Sequence, residues 1–128
     1  QTTRRGSFEI TERVREFIER SGVTNGLCYL FIQHTSASLM INENADPDVL
    51  LDLERFMQDL VPDGDTRFRH TAEGPDDMPA HIRNVLTQTD LNVPIRAGRL
   101  ALGTWQGIYL WEHRTHPHSR RVVVSAHD

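Results

Sequence analysis

Apolar residues recur at helical spacing in Val14, Phe17 and Ile18, after Thr11-Glu12 and before Ser21-Gly22, which predicts a short amphipathic helix packed on a core. Leu27 to His34 follows Gly26 and is apolar on both faces, the pattern of a buried central strand, and His34 continues the face of Cys28, Leu30 and Ile32. The small-residue turn Thr35-Ser36-Ala37-Ser38 then leads to a second short strand, Leu39 to Asn42. Asp46-Pro47 supplies a capping carboxylate and a proline at the first helical position, and Val49, Leu53, Phe56, Met57 and Leu60 form the apolar stripe of the helix it starts. Pro62-Asp63-Gly64 ends that helix. Thr66 to Arg69 reads as a short extended piece before the polar loop His70 to Gly74. Asp77 or Met78 caps a third helix through about Gln88, with Ile82, Val85 and Leu86 facing inward.

From Leu91 the pattern turns to strands: Leu91 to Ile95, Arg99 to Gly103, Gly107 to Arg114 and Arg120 to Ala126. A mixed first half closed by four strands predicts one compact α+β domain over residues 1–128, mainly antiparallel sheet with about three helices. At 128 residues, 38% hydrophobic and 25% charged, such a domain buries a core without staples. The single Cys28 permits neither an intrachain disulfide nor a cysteine zinc cage.

Charge narrows the chemistry. All 14 basic residues are Arg, which excludes Schiff-base chemistry, a lysine general base and a Walker A loop. Bound anions would be held by guanidinium forks, backbone N–H groups or a metal. A net charge of −4 with scattered arginines gives no basic stripe for nucleic acid, no apolar run is long enough for a membrane span, and the chain reads as soluble and cytoplasmic. Seven histidines make metal or acid–base chemistry worth testing.

Three of them, His34, His70 and His81, fall at the end of an element or in its first turn, where loops gather ligands on a rigid scaffold. Each alone also suits a hydrogen-bonded structural histidine. Glu112 ends a strand face of Ile108 and Leu110 that turns ionic, so it pairs with an arginine at the strand end or serves a catalytic site. Gly103-Thr104-Trp105-Gln106-Gly107 offers a stacking ring and a bidentate amide, or a hairpin turn whose Trp caps the core. The hydroxyls of residues 35–38 lack the glycine-flanked form of a nucleophile elbow and fit an anion or sugar contact better. Arg114, Arg120 and Arg121 are the candidates for an anion clamp on a small phosphorylated ligand.

The strings HTSASL at 34–39, NENADP at 42–47, HTAEGPDDMPAH at 70–81, GTWQGIYL at 103–110 and EHRTHPHSRR at 112–121 together resemble the YjbQ-like family, also called the secondary thiamine-phosphate synthase family. The likeness runs from about residue 7 to the C-terminus. It implies a homotrimer with polar clefts near subunit boundaries, and a reaction joining an aminopyrimidine methyl diphosphate to a thiazole phosphate with release of diphosphate. The family's motif histidines fall on His34, His70 and His81, the expected ligands of a divalent metal, zinc or a similar borderline ion. Its other motif residues fall on Asn42, Glu73, Trp105, Gln106 and Glu112. Glu73 and Glu112 are then the expected catalytic acids, with Ser36, Asn42, Trp105, Gln106 and the three arginines around the substrate. Some members carry Asn-Ala-His where this chain has Met78-Pro79-Ala80-His81, which gives Asp77 no assigned role. Metal-dependent hydrolysis of a small substrate and anion binding without turnover are the alternative readings.

Overall fold

The structure is a computed structural model describing residues 1–128. Its elements are β1 (Gly6–Glu9), α1 (Thr11–Ser21), β2 (Gly26–Ile32), β3 (Ala37–Glu43), α2 (Pro47–Leu60), α3 (Asp77–Leu86), β4 (Asp90–Arg96), β5 (Arg99–Leu100), β6 (Gln106–Glu112) and β7 (Val122–His127). They form two antiparallel sheets in the orders β1-β6-β3 and β5-β4-β2-β7, so the α+β expectation holds.

Strand alternation explains how the sheets meet. Cys28, Leu30 and Ile32 of β2 and Leu91, Val93 and Ile95 of β4 share one core with Leu39, Ile108 and Leu110 of the smaller sheet, closed at one side by Val14 and Ile18 of α1. A second cluster, Met40, Tyr109 and Trp111 with Met57 of α2, covers the other face of the smaller sheet. Gly26 is required where β2 meets the end of β7, because a Cβ there would lie 1.9 Å from the His127 carbonyl oxygen. In the predicted stop of α1, Gly22 takes a left-handed C-cap; Asp46 accepts the Asp48 N–H at the start of α2.

Several expectations are corrected. β2 is central but not buried on both faces: Leu27 and Phe31 are exposed while alternate residues are sealed. Thr66 to Arg69 forms turns rather than an extended piece, and β5 spans only two residues. β1, a four-residue strand with no alternation to reveal it, exists because β6 offers it an edge. The apolar stripes of α2 and α3 are only partly used, since Phe56, Leu60, Val85 and Leu86 are exposed and Val85 is 80% so.

Candidate metal centre

Four side chains from one stretch of 12 residues converge at the start of α3: His70, Glu73, Asp77 and His81, whose ligand atoms all lie within 4.8 Å of one another. Asp77 and His81 are one helical turn apart, so both face the same side of α3. His70 and Glu73 arrive on the loop before it. That loop is closed at its base by the Gly64 N–H on the Pro75 carbonyl at 3.1 Å, and turns sharply at Gly74, whose φ of 103° disfavours any side chain.

Asp77 is the pivot. Its side chain is 2% exposed, and its Oδ2 lies 2.6 Å from His70 Nε2 and 3.2 Å from His81 Nε2. Burial pushes its carboxyl up, but hydrogen bonding with Glu73 and His70 and the charges of Arg114 and His81 outweigh this and hold it below the usual carboxylate range. His81 Nδ1 sits 2.8 Å from the Thr35 carbonyl, which only accepts, so Nδ1 carries the hydrogen. In that tautomer the lone pair of Nε2 faces a carboxylate oxygen. The contact is favourable only with a cation between the two atoms, either a proton or a metal.

His34, expected as the third ligand, is elsewhere. Its Nε2 accepts the Arg121 N–H at 2.7 Å and its Nδ1 faces Arg120 Nη1 at 3.4 Å, so both nitrogens are occupied outside the metal group. It belongs to a second cluster around Glu112, which is fully buried and accepts from Arg120, from Thr2 Oγ1 at 2.7 Å and from the Arg114 N–H at 3.1 Å. Burial raises the Glu112 carboxyl, yet Arg120 and the other donors bring it below its ordinary value. Sealed and paired in this way, Glu112 makes the strand-end ion pair, the other role its place on the strand allowed.

The arginines are corrected too. Arg120 donates to Glu112, to Ser36 Oγ and to the Ser36 carbonyl. Arg114 gives Nε to Asp76 at 2.9 Å, Nη1 to Asp77 at 2.8 Å and Nη2 to the Glu73 carbonyl at 2.8 Å. Of the proposed clamp only Arg121 keeps an exposed side chain. Asn42, Trp105 and Gln106 lie at the opposite end of the β3–β6 ladder, where Glu43 pairs with Gln106 while Ala37 pairs with Glu112. Six residues of strand separate those ends, roughly 20 Å. Gln106 Oε1 accepts the Gly103 N–H at 2.7 Å, so it builds the turn, and Trp105 is 62% exposed rather than capping the core.

Sequence reasoning reads Asp77 as a helix cap. The signal that identifies it is its i, i+4 spacing to His81, the same spacing that puts two ligands on one helix face. A cavity of about 450 Å³ opens beside His70, lined by Phe68, Thr71, Pro75 and Met78 among others, and its only charged wall is Asp65. Cys28 lies in the core with its thiol pushed up to about 11 by burial, so it supplies no nucleophile.

The comparisons with known proteins agree with one another. A family model described as UPF0047 protein YjbQ-like matches residues 1–128. A UPF0047 protein of Synechocystis is 58% identical over 112 residues, 88% of this chain and 76% of that protein. The UPF0047 protein YjbQ of Escherichia coli O157:H7 is 45% identical over 122 residues, 94% of this chain and 88% of that protein. Among solved structures, a YjbQ/UPF0047-family protein of Clostridium acetobutylicum described as uncharacterized has a TM-score of 0.88 at 37% identity, covering 98% of this chain and 94% of that one. A conserved hypothetical protein of Thermus thermophilus gives 0.87 at 38% identity, with the same coverage. The chain belongs to the YjbQ/UPF0047 family.

Proposed function

We propose that His70, Glu73, Asp77 and His81 hold a divalent metal and that the protein is a metal-dependent enzyme acting on a small phosphorylated substrate. The observation that carries this is the convergence of four ligand atoms, from His70, Glu73, Asp77 and His81, all within 4.8 Å of one another, with His81 turned to present Nε2 because Nδ1 is committed to the Thr35 carbonyl. The donor set fits: two imidazoles and two carboxylates suit zinc or manganese, whereas the three histidines expected from sequence favour zinc or a similar borderline ion. When bound, such an ion supplies Lewis-acid charge to phosphoryl oxygens or acidifies a water.

Within that reading, the transfer that joins an aminopyrimidine methyl diphosphate to a thiazole phosphate is the first candidate reaction. Replacing one histidine by two acids brings the donors closer to those that serve diphosphate departure elsewhere. The cavity beside His70 has apolar and hydroxyl walls, one carboxylate in Asp65 and no arginine, so it takes the uncharged ring of a substrate and leaves the phosphates to the ion. Glu73, with its side chain 64% exposed and 3.6 Å from His70 Nε2, is the outermost of the four donors, the one that leaves the ion to open a coordination position and to hold or move a proton. Metal-dependent hydrolysis is the second reading, favoured by that same reachable carboxylate. The resemblance also implies a homotrimer, for which exposed Phe56, Leu60, Val85 and Leu86 provide apolar surface.

Incubating metal-loaded protein with the two thiamine precursors separates these readings. Thiamine phosphate and diphosphate formed in equal amounts, and lost in His81→Ala, support the transferase. Cleavage of the diphosphate ester with no thiamine phosphate points to hydrolysis. Turnover that is the same in wild type and His81→Ala defeats both.

A further inference from the structure

Two clusters that sequence reasoning treats as one site are separate in space, yet they are joined at two points. Arg114 belongs to both: its backbone N–H donates to Glu112 Oε2 at 3.1 Å, and its guanidinium donates to Asp77 Oδ1 at 2.8 Å and to the Glu73 carbonyl at 2.8 Å. The segment 34–36 is the second link. His34 accepts from the Arg121 N–H, the Ser36 carbonyl and Oγ accept from Arg120, and between them the Thr35 carbonyl takes His81 Nδ1. Both ligands on α3 are therefore held from behind by groups that rest on one buried ion pair, Glu112 with Arg120, whose side chains are 0% and 5% exposed.

We propose that Arg114 and the Glu112–Arg120 pair are positioning residues for the metal centre, fixing Asp77 through the Arg114 fork and His81 through the Thr35 carbonyl. The inference rests on the metal-centre reading and extends it to residues that touch neither ion nor substrate. Its physical basis is that a ligating carboxylate or imidazole binds well only if its second polar atom is fixed, which sets the direction of the first. Arg114 does this with three donors to three acceptors, a geometry that lysine, with one nitrogen, cannot copy. The pair adds no net charge to the core. Its return is that two chain segments about 80 residues apart, 34–36 and 112–120, keep one relative position.

The test is zinc affinity, measured by competition with a chromophoric chelator, on wild type, Arg114→Lys and Glu112→Gln. Arg114→Lys keeps the charge, so a role in charge balance alone predicts rescue; positioning predicts affinity weakened on the order of 10- to 100-fold in a protein whose circular dichroism is unchanged. Glu112→Gln is expected to weaken zinc binding as well, through the loosened Arg120 fork. If Arg114→Lys does not fold, Glu112→Gln carries the test, since it leaves the Arg114 guanidinium and its charge beside Asp77 and removes only the support behind it. Folded Arg114 and Glu112 variants that bind zinc as tightly as wild type overturn the inference and leave the metal centre standing. Wild type that binds no zinc overturns the metal centre itself.

Discussion

His113 is the residue whose surroundings make the sharpest statement about pH. It is fully buried, its Nε2 is 2.8 Å from Ser38 Oγ, and its Nδ1 has no partner. Burial, together with the charges of Arg83, Arg5 and Arg120, pushes its pKa down to about 3. The folded protein therefore keeps His113 neutral while the unfolded chain takes up a proton below its ordinary value of 6.5. Stability from this group is fully present above pH 6.5 and is lost progressively as pH falls toward 3. At pH 5 the loss is about 2 kcal/mol, from 1.36 kcal/mol for each pH unit below the unfolded value. Urea melts at pH 7 and pH 5 check it, and His113→Asn should flatten the difference by that amount. At the metal group, Asp77→Asn should weaken zinc binding by roughly a hundredfold or more, since losing a ligand costs at least as much as losing its support. His81 is legible in the sequence because it stands near the start of a predicted helix, and His70 because it opens a polar loop before it. The place of His34 is not, because the atoms that claim its ring belong to Arg120 and Arg121, some 87 positions away. No local pattern carries that information.

At the scale of elements, the 64–75 loop and α3 act together: one brings His70 and Glu73, the other Asp77 and His81. An ion bound across them ties the loop to the helix, and the loop holds two exposed trypsin sites, Arg67 and Arg69. Cleavage there should slow by at least about tenfold when zinc is added and return with chelator, since binding shifts the chain away from open states. Equal cleavage rates with and without zinc would show that the loop is not tied. The helices and long strands are readable from period and caps because local sequence dictates them. The short strand β1 and the turns at 66–69 are not, since partner strands and loop closure decide them. The exposed side of α3 shows the same limit: Val85 and Leu86 have the spacing of a core stripe, while the positions the helix buries are Asp77, Pro79, Ala80 and Arg83.

For the whole molecule, two sheets and α1 share one core, and the candidate chemistry gathers at one end of the β3–β6 ladder. No helix is long and apolar enough to cross a membrane. If the apolar residues left outside on α2 and α3 form the contact of the proposed homotrimer, sedimentation equilibrium should return about three times the chain mass of 14.7 kDa. A monomer at micromolar concentration would remove the trimer from the account without touching the metal centre. That centre is the central claim, and a cobalt titration followed in the visible region tests it most directly. The account predicts saturation at one ion per chain in wild type and loss of the bound spectrum in both Asp77→Asn and His81→Ala. Titration of wild type with no bound spectrum, or spectra in those variants identical to wild type, would contradict it.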